Sequence, residues 1–455
     1  MKINNELKNI AAAIRDNKGE LLVVGGYVRD YFLNLPSKDL DLEVYGLNFD
    51  QLREILSPFG KIDIVGEHYS VLKLTTTTED YDFALPRTET KIGEGYKGFK
   101  VTPNSYLDYK SAFARRDFTI NAIGYDITTN SFVNVYGGMY DIKNKVLRHT
   151  SDCFAEDPTR VLRAMQFLGR FDFTIEQSTV DLCASLICEY DTIPKERIFG
   201  EFEKLLLKSE KPSVGFNFLV DCGWICKFSE LDALRGVQQE VEWHPEGDVW
   251  VHTMHVLDAA AEIARREGLD KRSTLILLLS ALCHDLGKPR TTVQKEKNGV
   301  LRWTAPQHDK AGLTPTKTLL HRMGVPKSMW KEITTLVAEH MTHIAEMGIG
   351  GVRRLINRLG EGSTDLKMLS MVVEADLSGR PPLIGKCPDC FEWFFEVEKE
   401  QPKTQVGKIA PIITGAILME NGFTEGVELG KVFKKLYELQ LDGRFEDIEN
   451  GLLLI

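Results

Sequence analysis

The hydrophobic positions change rhythm along the chain. Up to about residue 150, short apolar runs alternate with turn-forming residues: LLVVGGYV, LDLEVYG, SVLKLTTTT, DYDFALP and FVNVYGG. Runs of this length, rich in branched and aromatic side chains, predict a mixed α/β region. From Asp157 to about Gly223 the apolar residues recur every three to four positions, as in RVLRAMQFLGRF and RIFGEFEKLLLK, which predicts helices. Residues 236–248 hold few apolar side chains and read as a linker. A further helical region runs to about Arg380, residues 381–405 are rich in Pro, Lys and Glu, and a short helical tail closes the chain. The expected fold is α+β, divided into residues 1–150, 151–235, 245–380 and 381–455, with the last three parts all-α. At 455 residues the chain is too long for one core and suits such a division.

Composition narrows the class. Apolar residues make up 43% and charged residues 27%, ordinary values for a globular protein. The first residues mix charges of both signs, and the longest apolar stretch, 275–283, is too short to span a bilayer and contains Ser280. No signal peptide or membrane segment is expected, and the expected compartment is the cytoplasm. The eight cysteines show no disulfide framework, and the one CxxC, Cys387 and Cys390, lacks a second pair at zinc-ribbon spacing. A net charge of −10 weighs mildly against nucleic acid, but an RNA groove needs only a local basic surface. Lys97, Lys100, Lys110, Arg115 and Arg116, then Lys195, Arg197, Lys204 and Lys208, are the candidates for one.

Residues 21–30, LLVVGGYVRD, carry an apolar strand into Gly25 and Gly26 and then into a helix starting near Tyr27. Paired glycines let a backbone approach a phosphate, and a helix N-terminus favours the anion. Arg29 lies about one turn inside, where a guanidinium can neutralise a triphosphate oxygen. By itself the pattern fits a plain tight turn equally well. KDLDLE follows at 38–43. On a strand Asp39 and Asp41 face the same way, and a hard divalent cation is the usual remedy for their repulsion. Such a pair can hold Mg²⁺ against a triphosphate, although an exposed acidic edge strand reads the same. Asp157, Arg160 and Arg163 recur every three residues and line one stripe of a helix beginning near Asp157, a pattern that also suits a surface salt-bridge ladder.

Taken together, Gly25-Gly26, Arg29-Asp30 and Asp39-x-Asp41 resemble the nucleotidyltransferase motif of the DNA polymerase β superfamily. The succession of motifs resembles the bacterial-type, class II CCA-adding enzymes and their poly(A) polymerase relatives. Its further blocks are DFALPR at 82–87, RRDFTINA at 115–122, YGG at 136–138 with Asp141, EDPTRVLRA at 156–164, and more loosely Glu196, Arg197 and Ile198 with Glu201 and Lys204. The resemblance covers residue 20 to about 225 in order. It implies a polymerase-β-like head, with Asp39 and Asp41 as catalytic ligands of Mg²⁺ and Gly26 and Arg29 at the nucleotide. It also implies that Asp157 and Arg160 act as a protein template reading cytosine or adenine through hydrogen bonds, while Arg116 and Arg163 hold the ribose or triphosphate. The implied reaction is addition of C, C and A to the 3′ end of tRNA from CTP and ATP, with release of pyrophosphate.

Two positions depart from the family. Gln166 stands where an arginine is frequent and cannot neutralise phosphate, and Asn134 stands where an Asp is frequent. Asp82 is either a third carboxylate on a neighbouring strand or a turn residue. The polar, glycine-bearing segment between Arg87 and Arg115 is suited to a mobile loop. In the family a loop here resembles the lever that switches the base pocket from C to A, which favours complete CCA over CC alone. Glu67 and His68 stand where poly(A) polymerases carry a basic element. A CC- or A-adding enzyme or a poly(A) polymerase is the runner-up.

The helical region beyond residue 245 has its own chemistry. His252 and His255 are followed by LCHDLGK at 282–288, then His308 with Gly312, His340 and Asp376, so that five of the ten histidines fall in one constellation. Imidazole and carboxylate together suit a divalent transition metal, which can activate water toward a phosphoester. The pattern resembles the HD phosphohydrolase superfamily. Its motif maps to His252, His284, Asp285 and Asp376 as ligands, and His308 and His340 resemble extra histidines that hold a second metal or phosphate in some members. His255 lies off the motif and reads as structural. Such mixed ligands suit Ni²⁺, Mn²⁺, Fe²⁺ or Co²⁺ better than Mg²⁺ alone, and the resemblance implies hydrolysis of 2′,3′-cyclic phosphates and phosphomonoesters. A domain that only grips tRNA, a mainly HD phosphohydrolase with a degenerate head, and a non-catalytic RNA-binding protein are the readings from other classes. Monomer and dimer fit the sequence equally.

Overall fold

The computed structural model describes residues 1–37, 40–65, 71–91, 99–344, 346–360, 364–383, 385–404 and 407–455. The chain divides into two compact units, Met1–Leu205 with Asn217–Trp224, and Leu206–Phe216 with Ile225–Ile455.

The first unit is built on a sheet whose strands are, in chain order, β1 Glu20–Val24, β2 Asp41–Tyr45, β3 Lys61–Val65, β4 Val71–Thr75 and β5 Asp80–Ala84. A separate pair, β6 Arg87–Lys91 and β7 Phe99–Pro103, comes next, then β8 Gly124–Asp126 and β9 Ser131–Val133. The order across the sheet is β3-β4-β5-β2-β1-β8-β9, and only the β2–β5 pairing is parallel. Leu21 to Val24 of β1 are all buried, so this interior strand reads as an unbroken apolar run. Nearer the edge, β5 alternates: Tyr81 and Phe83 face the core while Asp80 and Asp82 are exposed.

The segment expected as a mobile loop contains an antiparallel ribbon, with β6 and β7 paired from Arg87 opposite Pro103 to Lys91 opposite Phe99, and closes in the helix Tyr109–Ala114. Polar residues alternate with β-formers on both arms, which suits a two-stranded ribbon better than a loop. Residues 92–98, with Lys97, and residues 66–70, with Glu67 and His68, lie outside the described residues. The arginine helix is Thr159–Phe171, two residues later than expected. Asp157 stands before it in extended backbone and accepts the Thr159 N–H at 3.0 Å, so it caps the helix and does not share its stripe.

The second unit is mainly helical. Val249–Arg266, Lys271–Cys283, Lys327–Glu339 and Leu366–Ser378 pack together, and residues 275–283 are buried on every side, which is why that helix is apolar all round. Asp248, Asp270 and Asp365 each cap the helix that follows by accepting a backbone N–H of its first turn. The expectation of an all-α region is corrected by an antiparallel ribbon, Val293–Lys297 with Val300–Thr304. It turns at Asn298 and Gly299, both with positive φ, the residues that a tight hairpin turn selects. A small core of Ile413, Leu418, Leu436 and Phe445 holds the tail helices together. Among the described residues no helix is long and apolar enough to cross a membrane.

Candidate active sites

Strand β1 delivers the chain into Gly25, whose φ of +73° belongs to the region that glycine tolerates best. A Cβ at this position would lie 3.1 Å from Nη1 of Arg116 and 3.4 Å from Oδ2 of Asp41. The turn, one guanidinium and one carboxylate therefore meet at a point. Asp41 opens β2 and is paired in register with Val24 on β1 and with Asp82 on β5. Register partners on neighbouring strands point to the same face, so the exposed carboxylates of Asp41 and Asp82 share one. The choice left open for Asp82 is thereby decided: it is a strand residue beside Asp41. Asp39 lies outside the described residues. Behind the turn, Glu43 is buried, accepts the Tyr45 hydroxyl at 3.0 Å, and lies 3.3 Å from Arg116 and 3.9 Å from Arg115. One buried carboxylate thus fixes both arginines of the RRDFTINA block.

Gly26 opens the helix Gly26–Phe32, and a Cβ on it would lie 3.4 Å from Nη2 of Arg29. Arg29, expected at the phosphate, is only 6% exposed. It donates Nε and Nη2 to Asp30 at 2.8 and 2.6 Å, and Nη1 to Asn121 at 2.8 Å. Asn121 in turn donates to Asp117 Oδ1 at 2.8 Å, while Asp117 Oδ2 accepts Nε of Arg163 at 2.7 Å. Both guanidiniums lie against the Phe167 ring, at 5.2 and 5.4 Å from its centre. Burial opposes the charge of Asp117, but Arg163 and Asn121 outweigh it and hold the carboxyl below its ordinary range. The sequence showed Asp117 and Asn121 only as letters of a motif, and their role emerges from contacts 46 and 92 positions apart in the chain.

Asp157 accepts Nη2 of Arg197 at 2.8 Å, and Arg160 donates to the carbonyls of Cys153 and Arg115. Gln166 is buried, with no hydrogen-bond partner for its carbonyl oxygen among the described residues.

The second unit brings together all six residues expected at the HD site. His252 comes from Val249–Arg266, His284 and Asp285 follow Lys271–Cys283, and Asp376 lies on Leu366–Ser378. His308 and His340 open the short helices His308–Ala311 and His340–Ile344. All are buried. Nε2 of His252 lies 3.3 Å from Nε2 of His284 and 3.1 Å from Asp376, and Nε2 of His308 lies 3.1 Å from Nε2 of His340. Asp285 stands between the pairs, 3.2 Å from His284 and 3.3 Å from His308. Its oxygens are buried and make no well-formed hydrogen bond among the described residues, although Lys288 Nζ is 2.6 Å away.

The tautomers follow from the other ring nitrogens. Nδ1 of His284, His308 and His340 each lies 2.7 Å from a backbone carbonyl three residues earlier, Ala281, Ala305 and Val337. Those contacts require Nδ1–H, so a neutral ring in each case turns the Nε2 lone pair to the cluster. Ring nitrogens 3.1 Å apart, beside the buried Asp285 carboxylate with Lys288 on its other flank, form a donor set that a cation can join. Burial, then His284 and His308, lower the pKa of His340 to about 3, so this ring does not supply the cation as a proton. Mixed nitrogen and oxygen donors of this kind fit a divalent transition metal. A cavity of about 580 Å³ opens on the cluster, lined by Lys288, Arg380, Trp243 and Trp303 among others.

His255 is exposed and takes no part. Cys387 and Cys390 are free and stand in no group able to hold a metal among the described residues. The sequence reading missed two residues of the segment taken as a linker. Glu246, with its side chain wholly buried, lies 2.8 Å from Nδ1 of His252 and 3.0 Å from Nδ1 of His244.

Three family models match the chain: a poly A polymerase head domain over residues 21–148, a probable RNA- and SrmB-binding site of polymerase A over 172–233, and an HD domain over 249–374. The multifunctional CCA protein of Mannheimia succiniciproducens is 36% identical over 371 residues, which are 79% of this chain and 84% of that protein. Among solved structures, the CCA-adding enzyme of Bacillus stearothermophilus in complex with CTP matches with a TM-score of 0.64 at 18% identity, over 98% of this chain and 94% of that one. The Thermotoga maritima CCA-adding enzyme complexed with tRNA-CCA matches with a TM-score of 0.60 at 18% identity, over 99% and 95%. At these identities the two structures show a shared fold.

Proposed function

The chain belongs to the family of multifunctional CCA proteins, and from that premise we propose that it adds C, C and A in turn to the 3′ end of tRNA, using CTP and ATP and releasing pyrophosphate. The meeting of Asp41, Arg116 and the Gly25 turn, with Asp82 in register beside Asp41, carries this reading. Asp39 and Asp41 would hold Mg²⁺, a hard cation that carboxylate oxygens suit, with Asp82 in register beside Asp41. Magnesium, when bound, offsets the charge that develops on the triphosphate. Gly25 and Gly26 let the backbone approach the phosphates. Arg116, anchored by Glu43, and Arg163, anchored by Asp117, present guanidiniums that need no rearrangement to meet the nucleotide.

Asp157 and Arg160 read the base. A carboxylate accepts about four hydrogen bonds and a guanidinium donates about five, so the bonds to Arg197 and to the backbone leave capacity on both. The Asp157 carboxylate accepts from the exocyclic amine of cytosine or adenine, and Arg160 donates to ring acceptors.

The HD domain is a second, separate hydrolytic site in this reading. His252, His284, Asp285 and Asp376 would hold one divalent transition metal, Ni²⁺, Mn²⁺, Fe²⁺ or Co²⁺, and Asp285 with His308 and His340 a second. Such ions supply an activated water for attack on a phosphoester. Lys288 and Arg380 line the cavity and suit the phosphate of a 2′,3′-cyclic or monoester end. We assign residues 1–150 to the transferase head, 151–235 to a nucleotide-selecting and RNA-binding neck, 245–380 to the HD domain and 381–455 to the tail. The cytoplasm is the compartment we assign, in keeping with eight free thiols.

Paired variants test the reading. Asp41→Ala is expected to abolish labelled CMP incorporation into tRNA lacking its CCA end and to spare 2′,3′-cyclic phosphodiesterase activity. Asp285→Ala is expected to do the reverse. Near-normal incorporation by Asp41→Ala, or loss of both activities in each variant, would overturn it.

A further inference from the structure

Four buried imidazoles surround Asp285, and three of them are oriented in the same way. His284, His308 and His340 each turn Nδ1 toward a backbone carbonyl three residues back. A neutral amide oxygen fixes the tautomer but adds little electron density to the ring. His252 differs. Its Nδ1 lies 3.3 Å from the Gly379 carbonyl and 2.8 Å from Oε1 of Glu246, a carboxylate with no exposed side-chain surface. The same Oε1 lies 3.0 Å from Nδ1 of His244, whose ring sits edge-on to that of His252 at 4.7 Å. Glu246 Oε2 is buried without a hydrogen-bond partner among the described residues.

Burying an ionised carboxylate costs several kcal/mol in effect unless specific partners compensate, so its place behind one ligand needs a reason. An N–H donated to a carboxylate makes the opposite ring nitrogen more basic and fixes the ring plane. On the far side of His252, Nε2 points into the cluster, 3.1 Å from Asp376 and 3.3 Å from Nε2 of His284. We propose that Glu246 is a positioning residue of the HD site, holding Nδ1–H of His252 so that Nε2 is the strongest imidazole donor to the metal, with His244 steadying the carboxylate. This rests on the HD metal site proposed above. The stretch 236–248 is therefore a structural part of that site, carrying the carboxylate to a ligand and then, at Asp248, the cap of the ligand's own helix.

The test is metal binding by the full chain, read by calorimetry with Ni²⁺ or Mn²⁺ and by the visible spectrum of the Co²⁺ form. Mg²⁺-dependent CMP incorporation by the other site serves as the folding control. Glu246→Ala is expected to weaken binding roughly 10- to 100-fold and to shift the Co²⁺ bands, with unchanged stoichiometry. Glu246→Gln, whose amide oxygen still accepts from Nδ1–H but carries no charge, is expected to fall between wild type and Glu246→Ala. His244→Ala is expected to lose little affinity and no metal equivalent. Wild-type affinity in Glu246→Ala or in Glu246→Gln would overturn the inference. So would loss of one bound ion in His244→Ala, which would make His244, Glu246 and His252 a metal site of their own. A wild-type chain that binds no transition metal would overturn the HD reading itself, an outcome distinct from normal binding that ignores Glu246.

Discussion

The carboxylate of Asp117 and the guanidinium of Arg163 form an ion pair with Nε at 2.7 Å and Nη2 at 2.5 Å, the Asp side chain 9% exposed and the Arg side chain 32%. Through Asn121 the same carboxylate reaches Arg29 and Asp30 beneath the glycine turn. One buried aspartate thus ties the arginine helix to the phosphate turn. Asp117→Ala would remove the acceptor of Arg163, of Asn121 and of the Phe118 N–H and is expected to destabilise the first unit by about 3–5 kcal/mol, the cost of breaking a buried pair. Thermal melts of the variant check this. The pH dependence has a definite sign. Because Arg163 and Asn121, against burial, hold Asp117 below its ordinary value of 3.8, its contribution is complete above that value and disappears as pH falls through the lower folded value. The acid limb of stability should flatten in Asp117→Asn, and an unchanged limb would count against the pairing.

Asp82 is expected to matter to the transferase and its strand neighbour Asp80 is not. Asp82 stands in register beside Asp41, whereas Asp80 pairs with Lys73 at 2.8 Å on the exposed face. Asp82→Ala should lower CMP incorporation roughly a hundredfold, the scale of losing one electrostatic contact to a transition state. Asp80→Ala should change it little, since exposed pairs contribute about 1 kcal/mol or less. Equal rates for the two variants in single-turnover incorporation would remove Asp82 from the site.

Selection of the base should depend on Asp157 and Arg160. The double alanine variant is expected to lose about 1–3 kcal/mol of discrimination for each bidentate contact removed. Incorporation of each of the four nucleotides, measured separately, reads this out. Unchanged preference for CTP and ATP over UTP and GTP would mean that the base is read elsewhere.

How much of this was legible in the sequence depends on the kind of contact. Strand alternation, the glycine turn and the helix around Arg160 are local patterns, so the head and the arginine helix could be read directly. The six HD residues were legible because each carries a side chain with metal chemistry, even though five helical segments had to bring them together. Glu246 was not. It lies in a stretch poor in apolar residues, and only its burial against His252 marks it out. Asp82 was ambiguous because strand register is set by long-range pairing, which no local period records. The ribbon at 293–304 carried its Asn298-Gly299 turn in plain view, but its strands are mostly polar and lack the apolar alternation that signals a strand.

The central claim is that one site adds C, C and A in order. It is tested most directly by product lengths on tRNA lacking the CCA end, resolved to one nucleotide. The expected result is two added residues with CTP alone, none with ATP alone, and three with both, all absent in Asp41→Ala. A long adenosine ladder from ATP alone, or a halt at two residues when both nucleotides are present, would contradict it.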